Sequence, residues 1–330
     1  LKKKARANGL TGIGLEPDGL ALASVSRGSA DGPQLTTVRY HPLEQTDDLD
    51  SVLGVASRDR DLRAFSANGV LAEGSFQLFL IEKPQVEDGE LKSAVRWKIK
   101  DMIDFSIDEA IIDVFSVPGQ RDRGRADMLY VVAARRATIR EHIDSLERHG
   151  FGLNIIDIPE LAQRNIAARL PEDSSGVALL KLGPSSGLLT LSRESALYLS
   201  RHIDTGLRDL VSRAGQVVSK ESLTELPSDS LELSLDAIAP EQQHAMDAIV
   251  LEVQRSLDYY ESHFGQPPIN SLVIAPLQQN VPGLVDYFAS SLGVSVRELD
   301  LTAVLDSSEV LSPELQSRCW FAIGAALRSN

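Results

Sequence analysis

The stretch Leu10-Thr11-Gly12-Ile13-Gly14-Leu15-Glu16-Pro17-Asp18-Gly19-Leu20-Ala21-Leu22-Ala23-Ser24-Val25 reads as two apolar strands joined by a glycine-bearing turn. About half the chain further on, Val177 to Leu182, the turn Gly183-Pro184-Ser185-Ser186-Gly187 and the strand Gly187 to Leu191 repeat the plan. Each hairpin is followed by a third strand, Leu35 to Tyr40 in the first case and Ala196 to His202 in the second. Identity between the two meanders is slight, so the shared strand-turn-strand-turn-strand order is the sign of duplication. Two such hairpins facing each other across a cleft would offer backbone N–H groups to phosphates. The side chains around these glycines oppose that use. Glu16 places negative charge where a phosphate would lie, Pro17 has no N–H to donate, and Lys181 stands where an acid would be needed to hold a metal.

A chain of 330 residues exceeds what one core can fill, so two or more domains are expected. Hydrophobic residues at 43% and charged residues at 24% are ordinary globular values and exclude disorder as the main state. The net charge of -14 argues against a sequence-independent grip on nucleic acid. The single cysteine, Cys319, sits among Trp320, Phe321 and Ile323 and reads as a small buried hydrophobe in a reducing compartment. No apolar run approaches the roughly 20 residues that span a bilayer. Leu1-Lys2-Lys3-Lys4-Ala5-Arg6 lacks the apolar core of a signal peptide, and a cytoplasmic location is expected.

Along the chain, a polar segment near Asp47 to Arg60 is predicted helical and Phe76 to Ile81 a strand. From Asp88 to Ile103, Leu91, Ala94, Val95, Ile99, Met102 and Ile103 recur at helical spacing and predict one buried stripe. Trp97 falls off that stripe. Either a neighbouring loop covers it, the reading favoured because single exposed aromatics are uncommon, or it is presented to a partner. Strands Ala110 to Val117 and Met128 to Ala134, a helix from Thr138 to His149 stopped by Gly150, and a strand Leu153 to Ile156 complete a small α+β unit. The expected partition is a first lobe at 1–84, an inserted α+β subdomain at 85–157, a connecting helix and linker at 158–175, and a second lobe at 176–330 with an irregular excursion at 219–240. A helix near Gly206 to Ala214, a long helix carrying Met246, Ile249, Val250, Val253, Leu257, Tyr260 and Phe264 on one face, and alternating strand and helix to Leu327 fill the second lobe. The fold class expected is α/β.

Strand meanders with a glycine turn in each half, a linking helix and an insertion in the first lobe resemble the two-lobed actin-like ATPases, a duplicated RNase H-like fold. The segments Gly12 to Gly19, Phe76 to Pro84 and, most specifically, Ala94-Val95-Arg96-Trp97-Lys98-Ile99-Lys100-Asp101 resemble the PilM family of type IV pilus assembly proteins. Within it the likeness is to the branch serving the mannose-sensitive haemagglutinin pilus. The resemblance implies a cytoplasmic subunit that docks the N-terminal peptide of an inner-membrane assembly protein of the PilN kind, and so meets the membrane through that partner. It also implies an ATP cleft. By position, Gly14 takes the place of the family's first-loop Asp and Glu16 that of a phosphate-loop Gly. Lys181 replaces the second-loop Asp, while Gly183, Ser185 and Ser186 match that loop. The family's adenosine-side glycines fall at Pro276-Leu277. These departures predict a vestigial phosphate site with no metal and no cofactor, with ATP binding as the lesser alternative. Trp97 is the residue expected to bind the partner, and no catalytic residue is expected.

Other chemistry is thin. The six histidines show no metal-ligand spacing, and His142 and His149 are read as solvated or capping residues. Asp204-Thr205-Gly206 is read as the cap of the following helix. Taken without the family, Gly14, Gly19, Gly183 and Gly187 are read as glycines that permit tight hairpins. Two rival functions stand beside the scaffold reading: a working ATPase, and the cytoplasmic domain of a type II secretion platform protein, which would need a membrane span.

Overall fold

Two sheets carry the same strand order. In the computed structural model, which describes residues 8–16, 18–29, 32–44, 48–118, 127–211 and 240–329, the first sheet begins with the antiparallel meander β1 (Gly9–Glu16), β2 (Gly19–Ser29) and β3 (Gly32–Pro42). Helix α1 (Leu49–Ala56) leads to β4 (Ser66–Val70), which pairs parallel with β1. The chain then leaves this sheet. β5 (Phe76–Glu82), α2 (Leu91–Ile99), β6 (Ala110–Ser116) and β7 (Met128–Arg135) form a separate antiparallel sheet, ordered β5-β7-β6 and covered by α2. Helix α3 (Arg136–Arg148) returns it to β8 (Leu153–Asp157), parallel to β4. Helix α4 (Pro159–Ala167) crosses to the second lobe, where β9 (Val177–Leu182), β10 (Gly187–Arg193) and β11 (Ala196–Ile203) repeat the meander. Helices α5 (Leu207–Leu210) and α6 (Pro240–Phe264) precede β12 (Ser271–Ile274), and α7 (Leu284–Leu292) precedes β13 (Ser295–Glu298). The second sheet is therefore ordered β11-β10-β9-β12-β13, against β3-β2-β1-β4-β8 in the first, where the short β14 (Asp306–Ser307) adds an edge to β3. Helices α8 (Pro313–Arg318) and α9 (Trp320–Ala326) end the described chain.

The two sheets are held apart and joined by α4 and α9. One core cluster includes Ala21, Ala23 and Val38 of the first sheet, Ile166 of α4, Val177 and Leu179 of the second sheet, and Trp320 and Ile323 of α9. Contact is so close that side chains are excluded at two points. A Cβ on Gly12 would lie 1.8 Å from the Ala322 carbonyl oxygen, and one on Gly324 would lie 2.2 Å from that of Ala162. Gln163 ties the layers together: its Nε2 donates to the Leu179 carbonyl at 2.8 Å and its Oε1 accepts from the Trp320 indole at 3.1 Å.

Several sequence expectations shift. β5 belongs to the inserted sheet and β8 to the first sheet, so the sheet changes fall before residue 76 and after α3 begins, not at 84/85 and 157. Strand pairing is non-local, and nothing in either strand's own residues shows which edge it joins. The expected helix 88–103 is shorter; Val95 and Ile99 are buried, but Met102, past its end, is exposed. The last helical stretch before Leu327 is broken at Cys319, whose φ of -97° and ψ of 13° end α8 and start α9. Of the excursion expected at 219–240, all but Pro240, the first residue of α6, lies outside the described residues.

Candidate functional site: the interlobe cleft and the exposed helix face

Glu16 ends β1 and is paired across the turn with Gly19. Burial pushes its carboxyl pKa up, the positive charge of Lys181 pulls it back, and the negative charges of Asp18 and Glu73 push it further. Lys181, on β9 of the other lobe, is buried; its ammonium pKa is pulled down by that burial and supported by Glu16. Among the described residues no ion pair of 4.0 Å or shorter joins the two. Lys181 Nζ instead donates to Ser317 Oγ at 2.7 Å and to the Leu182 carbonyl at 3.2 Å. The next residue on α8, Arg318, pairs with Asp18 and, at 3.1 Å, with Glu314. Asp18 also accepts from Tyr40 Oη at 2.6 Å; burial would raise its pKa, but these hydrogen bonds outweigh it and hold the carboxyl below the usual range. Adjacent residues of α8 thus engage both lobes at the mouth of the two glycine turns.

The second turn is occupied with its own neighbours. Gly183 N–H donates to Ser186 O at 2.8 Å, while the carbonyls of Gly183 and Pro184 accept from the first N–H groups of α5, Leu207 and Arg208, at 2.9 and 3.0 Å. A Cβ on Gly206 would sit 2.6 Å from the Ser185 backbone. Gly206 is the N-cap of α5, in keeping with the capping reading, although Asp204 takes no part in it and lies 3.4 Å from His202. Gly14, Gly19, Gly183 and Gly187 all have φ outside the left-handed region, so backbone conformation does not require glycine there, but a Cβ on Gly19 would lie 2.5 Å from the His41 carbonyl oxygen of β3, and that close approach does. Pro276 and Leu277, at the adenosine-side position, are buried.

On the inserted sheet, α2 rests on its Val95 and Ile99 face, packed against Ile81, Leu129, Val131 and Ala133. At about 100° per residue, Trp97 then points away from the sheet. It is 75% exposed, so no loop among the described residues covers it, against the favoured expectation. The Lys100 ammonium lies 5.5 Å from the Trp97 ring centre. Lys98 Nζ donates to the Glu82 carbonyl at 2.8 Å and Arg96 to that of Ile107, so the helix is fixed to its sheet while the indole stands free. At the N-terminal end of α2 lies an open cavity of about 600 Å³ lined by Lys83, Pro84, Val86, Glu90 and Asp127.

The structure separates the expected residues into two places, with Glu16, Lys181 and the second turn in the cleft and Trp97 on the insertion. Sequence reasoning missed Ser317 and Arg318, which carry no local mark in Gln316-Ser317-Arg318-Cys319 yet meet the cleft from some 136 and 300 residues away. It also missed Glu160, near the start of α4, buried to 9% exposure with Oε2 lacking a partner among the described residues. His142 is neither solvated nor a cap: its Nε2 is buried over Gly69, and burial lowers its pKa. No group of three His, Cys, Asp or Glu among the described residues is arranged to hold a metal, and no described helix is long and apolar enough to cross a membrane.

Duplicated sheets of order 3-2-1-4-5 around an interlobe helix pair define the actin-like ATPase fold. Across 98% of both chains the structure superposes with a TM-score of 0.68 and 19% identity on one described as a PilM-PilN type IV pilus biogenesis complex. Lesser likenesses, with TM-scores of 0.49 and 0.48, are to the cytoplasmic domain of EpsL, an inner membrane component of the type II secretion system of Vibrio cholerae (13% identity, 97% of this chain and 95% of that one), and to an actin-like ATPase fold protein of Bacteroides thetaiotaomicron (8%, 94% and 95%). No curated protein sequence is significantly similar. The family model for type IV pilus assembly protein PilM matches residues 77–330, and the chain belongs to that family.

Proposed function

We propose that this protein is a scaffold subunit of a type IV pilus machine of the mannose-sensitive haemagglutinin kind, working at the cytoplasmic face of the inner membrane, where it binds the N-terminal peptide of a PilN-like assembly protein. The observation that carries the docking surface is Trp97, bare on a helix whose opposite face is buried. A large aromatic held rigidly in solvent concentrates interface energy at small entropic cost. The similarity to a PilM-PilN complex supports the class of partner. Trp97→Ala should weaken a synthetic N-terminal peptide of the assembly protein at least about tenfold, with the melting temperature nearly unchanged. Unaltered affinity refutes the assignment.

We propose further that the cleft does not hydrolyse ATP. Magnesium needs carboxylate or phosphate oxygens, and a triphosphate needs free donors. Gly14 supplies no carboxylate, Lys181 is spent on Ser317 and Leu182, and Glu16 faces the phosphate path. Phosphate release from millimolar Mg-ATP that disappears in Lys181→Ala would overturn this reading.

A further inference from the structure

Three consecutive residues of α8 hold three separate parts of the chain. Gln316, buried, donates from Nε2 to Asp300 Oδ1 at 2.9 Å and to the Leu311 carbonyl at 3.1 Å, and its Oε1 accepts from the Leu301 N–H at 2.8 Å. Asp300 and Leu301 follow β13, so this grip is on the exit from the second sheet. Ser317, also buried, takes the Lys181 ammonium of β9 at 2.7 Å. Arg318 turns to the first lobe: it pairs with Asp18 in the β1–β2 turn, and its guanidinium lies 4.7 Å from the centre of the Tyr40 ring on β3. Tyr40 Oη donates to the same Asp18 at 2.6 Å, which closes the group. Successive residues of a helix point about 100° apart, which is how one turn reaches three ways.

Helix α8 is itself held. The break at Cys319 separates it from α9, which is wedged between β1 and α4 closely enough that Gly12 and Gly324 admit no Cβ. At its start Ser312 Oγ accepts from the Leu315 N–H at 3.2 Å, and Glu314 pairs with Arg318 one turn on at 3.1 Å. The contacts differ in weight. Asp18 and Arg318 are part-exposed, and an ion pair open to water contributes little by itself. Lys181 is buried, with the Ser317 hydroxyl and the Leu182 carbonyl as its acceptors, and a charge-assisted bond away from water is the stronger kind. The Lys181–Ser317 bond therefore joins the lobes, and Arg318 fixes the helix that carries Ser317.

We propose that α8 is an internal latch: Ser317 and Arg318 hold the two lobes against each other, so that their relative position is set by the chain's own residues and takes no instruction from nucleotide. This rests on the reading that the cleft does not turn over ATP and adds what holds the cleft in its place. A ligand moves lobes only to the extent that it binds one arrangement better than another. With Lys181 committed to Ser317 and Gly14 giving no carboxylate, a triphosphate finds no pair of groups on the two lobes to draw together.

The test places spin labels on the full chain through Ser51→Cys on α1 and Ser291→Cys on α7, exposed positions with one in each lobe, and reads the distance between them. Cys319 is buried, and a sample without the introduced cysteines measures any label it takes. With the latch intact the distance distribution should be single and narrow, and unchanged by millimolar Mg-ATP. Ser317→Ala should broaden it, and Ser317→Ala with Arg318→Ala should at least about double its width. Glu309→Ala, which removes a partner of Arg39 and leaves α8 untouched, should not alter it. Cooperative melting establishes that each variant is folded, and where the double variant does not melt cooperatively Ser317→Ala decides. A distribution that is broad from the outset, that shifts or narrows with Mg-ATP, or that stays narrow in Ser317→Ala overturns the latch. Phosphate release from Mg-ATP with an unchanged distribution overturns the reading of the cleft alone, so the two failures are told apart.

Discussion

The Lys181 ammonium lies 2.7 Å from the Ser317 hydroxyl, which binds the buried cation of the second lobe to a helix packed on the first. The contact closes the two lobes from within, at the place where the fold otherwise presents its loops to a ligand. Arg318, one residue on, completes the strap through Asp18.

Removing that acceptor should be felt. Ser317→Ala leaves a buried ammonium with only the Leu182 carbonyl, and an unsatisfied buried donor costs about 1–3 kcal/mol. Urea denaturation at pH 7 should show a loss in that range, and an unchanged midpoint would mean that water replaces the hydroxyl.

Gly12 and Gly14 should respond oppositely to the same substitution. Gly12→Ala drives a methyl to 1.8 Å from the Ala322 carbonyl oxygen, so α9 must move off β1 at a cost of about 3 kcal/mol or more. Gly14→Ala places its methyl 3.7 Å from Ala322 N, an ordinary contact, and should change stability by less than about 1 kcal/mol. Comparison of the two melting temperatures distinguishes packing from a loop requirement.

Glu160 makes stability fall with rising pH. With the folded-state pKa at about 7 against an ordinary 4.5, the folded protein holds the proton more tightly, so the favourable contribution is complete below pH 4.5 and is lost as pH rises through 7. The loss is on the order of 1–3 kcal/mol. Glu160→Gln should therefore narrow the difference in melting temperature between pH 5 and pH 8. His142 acts at the other end: burial lowers its pKa, so protonation favours the unfolded chain and stability falls as pH drops below about 6.5. His142→Leu should flatten that acid limb.

The β10–β11 hairpin turns on Glu194 and Ser195 at φ of 50° and 62°, a region that costs residues with a Cβ about 1–2 kcal/mol each. The Asp173 carboxylate offsets this by accepting from the Ser195 N–H at 2.8 Å. Ser195→Gly keeps that bond and should raise stability by about 0.5–1.5 kcal/mol. Asp173→Ala should lower it, both read by thermal denaturation.

Much of the architecture was legible because it is local. Alternating apolar residues around the turns at 16–19 and 183–187 specify the two meanders, and the Met246 to Phe264 stripe specifies the long helix that buries it. The amphipathic pattern of α2 marked Val95 and Ile99 as inward and therefore put Trp97 off the stripe. Whether anything covered Trp97 was not legible, since a covering element would come from elsewhere in the chain. Glu160 looked like an ordinary acid in the first turn of a helix, where the helix dipole favours one. Nothing in its neighbours announces that its Oε2 is buried without a partner among the described residues.

By itself, the order of residues determined the duplicated strand plan, the helix faces and the inverted charges of the two glycine turns, because backbone periodicity and residue chemistry act over a few positions. Only the tertiary structure decided that β5 and β8 belong to different sheets, that Gly12 is required by Ala322, and that Lys181 is answered by Ser317. These depend on which distant segments meet, and that is set by the packing of whole sheets about α4 and α9, a long-range balance of burial that no short window of sequence contains.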